Sequence, residues 1–114
     1  MPDCLFCEIA QHRIPAEIVE ETENVVAFRD IKPQAPTHVL VIPKAHITSA
    51  ADIAPNHATL WEQMLSTANR IAVTEGIAKR GYRVVTNVGD DAGQTVHHVH
   101  LHLLGGRSMA WPPG

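Results

Sequence analysis

The stretch His98-Val99-His100-Leu101-His102-Leu103-Leu104 sets three imidazoles in strict alternation with branched apolar residues. On an extended strand this period-two pattern projects His98, His100 and His102 from one face and Val99, Leu101 and Leu103 from the other, into a core. An unperturbed imidazole titrates at about pH 6.5, so such a row can supply nucleophiles, proton carriers or metal ligands near neutrality. A strand face turned to water ordinarily carries Thr, Lys or Glu instead. Two more histidines, His38 and His46, bracket another apolar run. Cys4 and Cys7 stand three apart near the N-terminus. That spacing resembles half of a tetrahedral zinc site whose remaining ligands come from distant sequence, with two unliganded thiols as the alternative. A thioredoxin-like reading would need a strand before Cys4, for which three residues leave no room.

Two weaker candidates complete the chemistry. Gly93-Gln94-Thr95 could receive a phosphate through backbone amides and one hydroxyl, although an ordinary hairpin loop has the same composition. Asp30 stands where a strand ends and is either a turn-former or a ligand for sugar hydroxyls; pattern alone favours the turn.

The elements that must position these residues follow from periodicity. Phe6 and Ile9 give a short N-terminal helix an apolar side, and Ile14-Pro15 ends it. Strands are expected over about 17–21 and 24–29, joined as a hairpin by Thr22-Glu23-Asn24. Val39-Leu40-Val41-Ile42, bounded by prolines, belongs in the middle of a sheet. Leu60, Met64, Leu65, Ala68, Ile71 and Ala72 recur at threes and fours, which predicts a helix over about 55–75 that covers one sheet face and ends at Gly76. Trp61 and Met64 read as packing, and His57 as a surface residue. A strand over about 81–88, a loop rich in Gly and Asp, and the histidine strand complete the chain. The order of elements gives an antiparallel α+β fold with one long helix and a short N-terminal one.

With 114 residues the chain suits a single domain, 1–114. A formal charge of −3 and no cluster of Lys and Arg in the sequence exclude the electrostatic footprint of a nucleic-acid binder and make a small molecule the default ligand. No apolar run approaches membrane-spanning length and no basic-then-apolar leader precedes Cys4, so a cytoplasmic setting is expected. In a reducing compartment the cysteine pair is a metal clip, a redox pair or two inert thiols.

These residues together resemble the histidine-triad family, whose signature His-x-His-x-His followed by two apolar residues is here His98 to Leu104. Phe28-Arg29-Asp30-Ile31, Pro36-Thr37-His38, Val41-Ile42-Pro43-Lys44-Ala45-His46, Asn87 and Gly93-Gln94-Thr95 fall in the family's order, and the ending Gly105-Gly106-Arg107-Ser108-Met109-Ala110-Trp111-Pro112-Pro113-Gly114 is similar to that of its nucleoside phosphoramidate hydrolases. The resemblance implies a homodimer with a sheet continued across the subunit boundary. It implies His100 as the nucleophile that attacks the α-phosphorus of a purine nucleoside 5'-phosphoramidate, with His102, His38 and His98 completing the catalytic set. Gly93, Gln94, Thr95 and Asn87 would surround the phosphate, Asp30 would accept the ribose hydroxyls, and Phe6, Ile9, Phe28 and Ile31 would form the slot for the base, with Trp111 also in contact with substrate. It further implies structural zinc on Cys4, Cys7, His46 and His98, with no metal in the chemistry. Thr95 stands where the family usually has Ser, and His97 where an aromatic is usual, on the strand face away from the triad. A nucleotide-binding sensor or scaffold with slow hydrolysis is the alternative reading.

Overall fold

The computed structural model describes residues 4–114. Its elements in chain order are α1 (Leu5–Ala10), β1 (Ile18–Glu21), β2 (Val25–Arg29), β3 (Thr37–Pro43), α2 (Ala58–Thr74), β4 (Tyr82–Val85) and β5 (Leu101–Gly105). The strands form one antiparallel sheet in the order β1-β2-β3-β5-β4, which confirms the α+β architecture expected from the sequence.

Alternation along the strands creates two cores. Val25, Ala27, Val39, Val41, Leu101 and Leu103 point to one side, where Met64, Ala68, Ile71 and Ala72 of α2 cover them. Val26, Phe28, Leu40 and Ile42 point to the other, where Phe6, Cys7, Ile9 and Ala10 of α1 seal them. The register pairs Leu40 with His102 and His38 with Leu104, so both histidines share the α1 side of the sheet.

The long helix differs from expectation at its start, where Pro55–His57 forms a separate 3-10 turn and the α-helix opens at Ala58. The His57 ring Nδ1 accepts the Ala54 N–H, so this residue closes the turn as well as facing solvent. At the other end Gly76, with φ +78°, turns the chain out of the helix as expected.

The histidine strand is shorter than predicted, because laddered pairing begins only at Leu101. The backbone groups upstream are engaged elsewhere. The His98 carbonyl accepts from the His100 ring, the His100 carbonyl accepts from the Thr86 hydroxyl, and Val99 N–H donates to the Ile47 carbonyl. Hydrogen bonds that would have extended the sheet instead orient side chains. No helix among the described residues is long and apolar enough to cross a membrane.

Candidate active site

Two backbone contacts and one between side chains decide which nitrogen of each central histidine carries the proton. The Gln34 N–H donates to His38 Nδ1 at 3.0 Å, so neutral His38 must hold its hydrogen on Nε2. That Nε2–H lies 2.9 Å from His102 Nδ1 and donates to it, with Asp30 Oδ2 3.5 Å away on the same side. His102 therefore holds its own hydrogen on Nε2. His100 has the opposite tautomer: its Nδ1–H donates to the His98 carbonyl at 2.7 Å and leaves Nε2 with a free lone pair. The His100 and His102 rings stand 5.0 Å apart between centroids, so a bare nitrogen and an N–H donor lie side by side.

Electrostatics keep these rings neutral. Burial lowers the pKa of His38 and of His100, partly countered by the Asp30 carboxylate. His102 is pushed down to about 4, first by burial and then by its neighbours His100 and His38. The tautomers above, which require neutral imidazoles, are thus those of neutral pH.

Asp30 follows the end of β2, and its backbone N–H donates to the His38 carbonyl at 3.0 Å. One carboxylate oxygen accepts the Lys32 N–H at 2.7 Å, the bond of a turn. The turn read from the sequence is therefore present: Asp30 closes it with Oδ1, while Oδ2 lies beside His38.

Phe6, Ile9 and Phe28 are buried in the core under α1. Phe6 meets Phe28 edge-to-face at 5.5 Å and stands edge-on to His100 at 5.1 Å, so it backs the imidazole. Ile31 is 93% exposed and Trp111 82% exposed, and neither closes the site in the single chain. Asn87 is half-buried just after β4.

The glycine loop is more committed than its composition implied. Gly93 N–H donates to Asp90 O, and Gln94 N–H donates to Gly89 O. The Gln94 side chain is spent at both ends, accepting from Gly89 N–H and donating to the carbonyls of Thr48 and Val96. Gln94 is thus a buried strut whose side-chain N–H groups are both taken by carbonyls. Thr95 is exposed and keeps its hydroxyl and N–H available among the described residues. His97 is also exposed, in a hollow shared with Thr95, Thr48 and His46.

Four donors converge beside this site. Cys4 Sγ lies 3.2 Å and Cys7 Sγ 3.5 Å from His98 Nδ1, and Cys7 Sγ lies 3.3 Å from His46 Nδ1. His98 is fully buried, and its Nε2–H donates to the Pro43 carbonyl at 2.8 Å, which turns the bare Nδ1 toward the sulfurs. All four donor atoms fall within 4.8 Å of one another. A zinc tetrahedron with bonds of about 2.3 Å to sulfur and 2.0 Å to nitrogen has edges of about 3.3–3.8 Å, so the set fits that ion. Burial and the adjacent Cys4 push the Cys7 thiol up to about 11, the opposite of what two thiolates need unless a cation neutralises them. Asp30, His38 and His102 form a second close group. It offers no comparable site, since His38 Nε2 holds a proton for as long as Nδ1 accepts from Gln34.

Comparison with known proteins gives consistent relatives. The HIT domain pattern matches residues 11–109. The chain is 44% identical over 107 residues to the purine nucleoside phosphoramidase of Escherichia coli (strain K12), covering 94% of this chain and 90% of that protein. It is 47% identical over 112 residues to the 14 kDa zinc-binding protein of Zea mays, covering 96% and 87%. The crystal structure of a HIT family hydrolase from Legionella pneumophila Philadelphia 1 superposes with a TM-score of 0.97 at 54% identity, covering 98% of this chain and 100% of that one.

Proposed function

This chain belongs to the HIT domain family, and from that premise we propose that it hydrolyses purine nucleoside 5'-phosphoramidates to a nucleoside monophosphate and an amine, within the single domain 1–114. The observation that carries the reading is the pairing of opposite tautomers, a bare Nε2 on His100 beside an Nε2–H on His102.

His100 Nε2 attacks the α-phosphorus. A bond from ring nitrogen to phosphorus forms as the bond from phosphorus to the amine nitrogen breaks, and the amine leaves with that electron pair and takes a proton from solvent. Water then attacks the same phosphorus and gives up a proton to solvent, the ring departs with its electron pair, and the nucleoside monophosphate is released. Splitting one hard displacement into two easier ones is the gain from a covalent intermediate. The ring becomes cationic on attack, and the His98 carbonyl that accepts from its Nδ1–H stabilises this charge. The Nε2–H of His102 donates to a phosphoryl oxygen and is held there by the chain from Gln34 through His38. Thr95 adds its hydroxyl and N–H, Gly93 gives the loop its turn, Gln94 braces the loop, and Asn87 borders the 5' oxygen. Asp30 Oδ2 accepts the ribose hydroxyls. The base lies against the wall formed by Phe6, Ile9 and Phe28, with Ile31 and Trp111 free to close over it.

Cys4, Cys7, His46 and His98 would hold zinc, whose contribution is structural: it ties α1 to the sheet and fixes the His98 carbonyl that orients His100. Among the described residues no strand lies beside the outer edge of β4, which supports a homodimer whose sheet continues there. The reduced pair Cys4 and Cys7 suits a cytoplasmic setting.

The test is turnover of adenosine 5'-phosphoramidate followed by AMP release. The wild type should turn over, His100→Ala should not, and His102→Gln should lose about 100-fold or more in kcat, as expected for removing a donor to transition-state charge. Nucleotide binding without AMP release would replace this reading with a nucleotide-binding scaffold.

A further inference from the structure

Glu75 lies outside the site, on the far side of the sheet, yet it grips the residue that adjoins one of the site's members. It is the C-cap of α2, its backbone N–H bonded to the Ile71 carbonyl. A carboxylate is disfavoured there, because the helix presents its negative end. What holds it is Arg29, whose two terminal nitrogens grip both Glu75 oxygens at 2.8 and 3.0 Å while its Nε donates to Glu17 at 3.1 Å. The buried Thr37 hydroxyl also helps keep the Glu75 carboxylate charged, after the larger effect of Arg29.

Arg29 and Thr37 immediately precede Asp30 and His38 in the chain. Strand alternation sends Arg29 and Thr37 toward α2 and their successors toward the histidines. The two successors are themselves linked, Asp30 N–H to His38 O at 3.0 Å and Asp30 Oδ2 to His38 Nε2 at 3.5 Å. Glu75 is in turn rigidly placed: after it Gly76 takes a positive φ, and the N–H groups of both Ile77 and Ala78 donate to the Ala72 carbonyl, locking the helix end. One fixed carboxylate thus anchors Arg29, the neighbour of the ribose acceptor, and the Asp30 N–H carries that placement on to His38.

We infer that Glu75, through Arg29, is a positioning residue that sets Asp30 and, through the Asp30 N–H, His38 in register with His102, and so governs ribose recognition and the His102 tautomer. This rests on the roles proposed above for Asp30 and His102, and goes beyond them by placing their control on the opposite face of the sheet.

The experiment uses the zinc-loaded full chain, the variants Glu75→Gln and Arg29→Lys, and two readouts. The first is the nitrogen-15 spectrum of the histidine side chains, which reports the hydrogen bond from His38 to His102 without requiring turnover. In the variants the His38 and His102 signals should shift while those of His98, on the other side of the site, stay. The second is affinity for AMP against 2',3'-dideoxy-AMP. The variants should lose at least about fivefold of the preference for the ribose hydroxyls, and Glu75→Asp should restore part of it. A merely structural role would weaken both nucleotides equally. Unchanged His38 and His102 signals overturn the inference whatever the nucleotide data show. If the wild type does not prefer AMP, the ribose role of Asp30 fails, and the imidazole signals alone decide whether Glu75 positions the relay.

Discussion

Acidification should unfold this protein partly through one ring. His102 has its pKa lowered from 6.5 to about 4, with burial the largest cause. Above pH 6.5 the ring is neutral in both folded and unfolded chains and contributes no pH dependence. As the pH falls below 6.5 the unfolded chain takes up the proton first, so stability is lost progressively until the folded ring also protonates near pH 4. A displacement of this size corresponds to about 3 kcal/mol, and because His102 retains some solvent exposure we expect about 2 kcal/mol of it to be measurable. The assay is urea unfolding of the zinc-loaded wild type and of His102→Gln at half-unit steps from pH 7 to pH 4. Carboxylates titrate alike in both proteins, so the difference between the curves isolates the ring. The wild type should lose about 2 kcal/mol more than the variant over that range, with the divergence beginning near pH 6.5. Parallel curves would refute the claim that His102 is held neutral by its surroundings.

Three further outcomes follow from packing and ligation. Phe6→Ala removes a buried ring from between Phe28 and His100 and should cost about 3–5 kcal/mol in denaturant unfolding, with kcat falling as the His100 ring loses its backing. A Cβ at Gly105 would sit 2.5 Å from Ile77 Cδ1 and 3.0 Å from Ile77 Cβ, so Gly105→Ala should destabilise by about 1–3 kcal/mol by the same measurement. Chelation of zinc should lower the melting temperature and reduce kcat much less, because the His98 ring still donates to the Pro43 carbonyl and keeps its own carbonyl near His100. Free zinc held at 100 times its Kd should add about 2.7 kcal/mol of stability, an increment absent in Cys4→Ser.

The sequence was most informative where one local period decides burial. Alternation placed Val99, Leu101 and Leu103 in the core and set the histidines apart from them, and three-four spacing placed Met64, Ala68 and Ile71 on the face of α2 that covers the sheet. It was less informative where hydrogen-bond partners come from afar. Nothing local to His102 indicates that His38, 64 positions away, fixes its tautomer, or that Arg29 meets Glu75 across 46 positions. The early end of the β5 ladder was hidden for a related reason: period two persists through His98 and His100, but their carbonyls are taken by a ring and a hydroxyl. The bracing by Gln94 was not legible, because an amide near glycines suits a phosphate equally well before its three partners are known. Asp30 shows the opposite case, since the turn that local pattern favoured is there in its Oδ1 bond, while Oδ2 is left beside His38.

The central claim is that a neutral His100, its Nδ1–H given to the His98 carbonyl, attacks phosphorus through Nε2. Intact-protein mass spectrometry of samples quenched in alkaline denaturant, where a bond from imidazole nitrogen to phosphorus survives, during turnover of adenosine 5'-phosphoramidate tests it directly. The account predicts a species heavier by one adenylyl group in the wild type, mapping to His100 and absent from His100→Ala. AMP release that proceeds in the wild type with no such adduct, or that survives in His100→Ala, would contradict it.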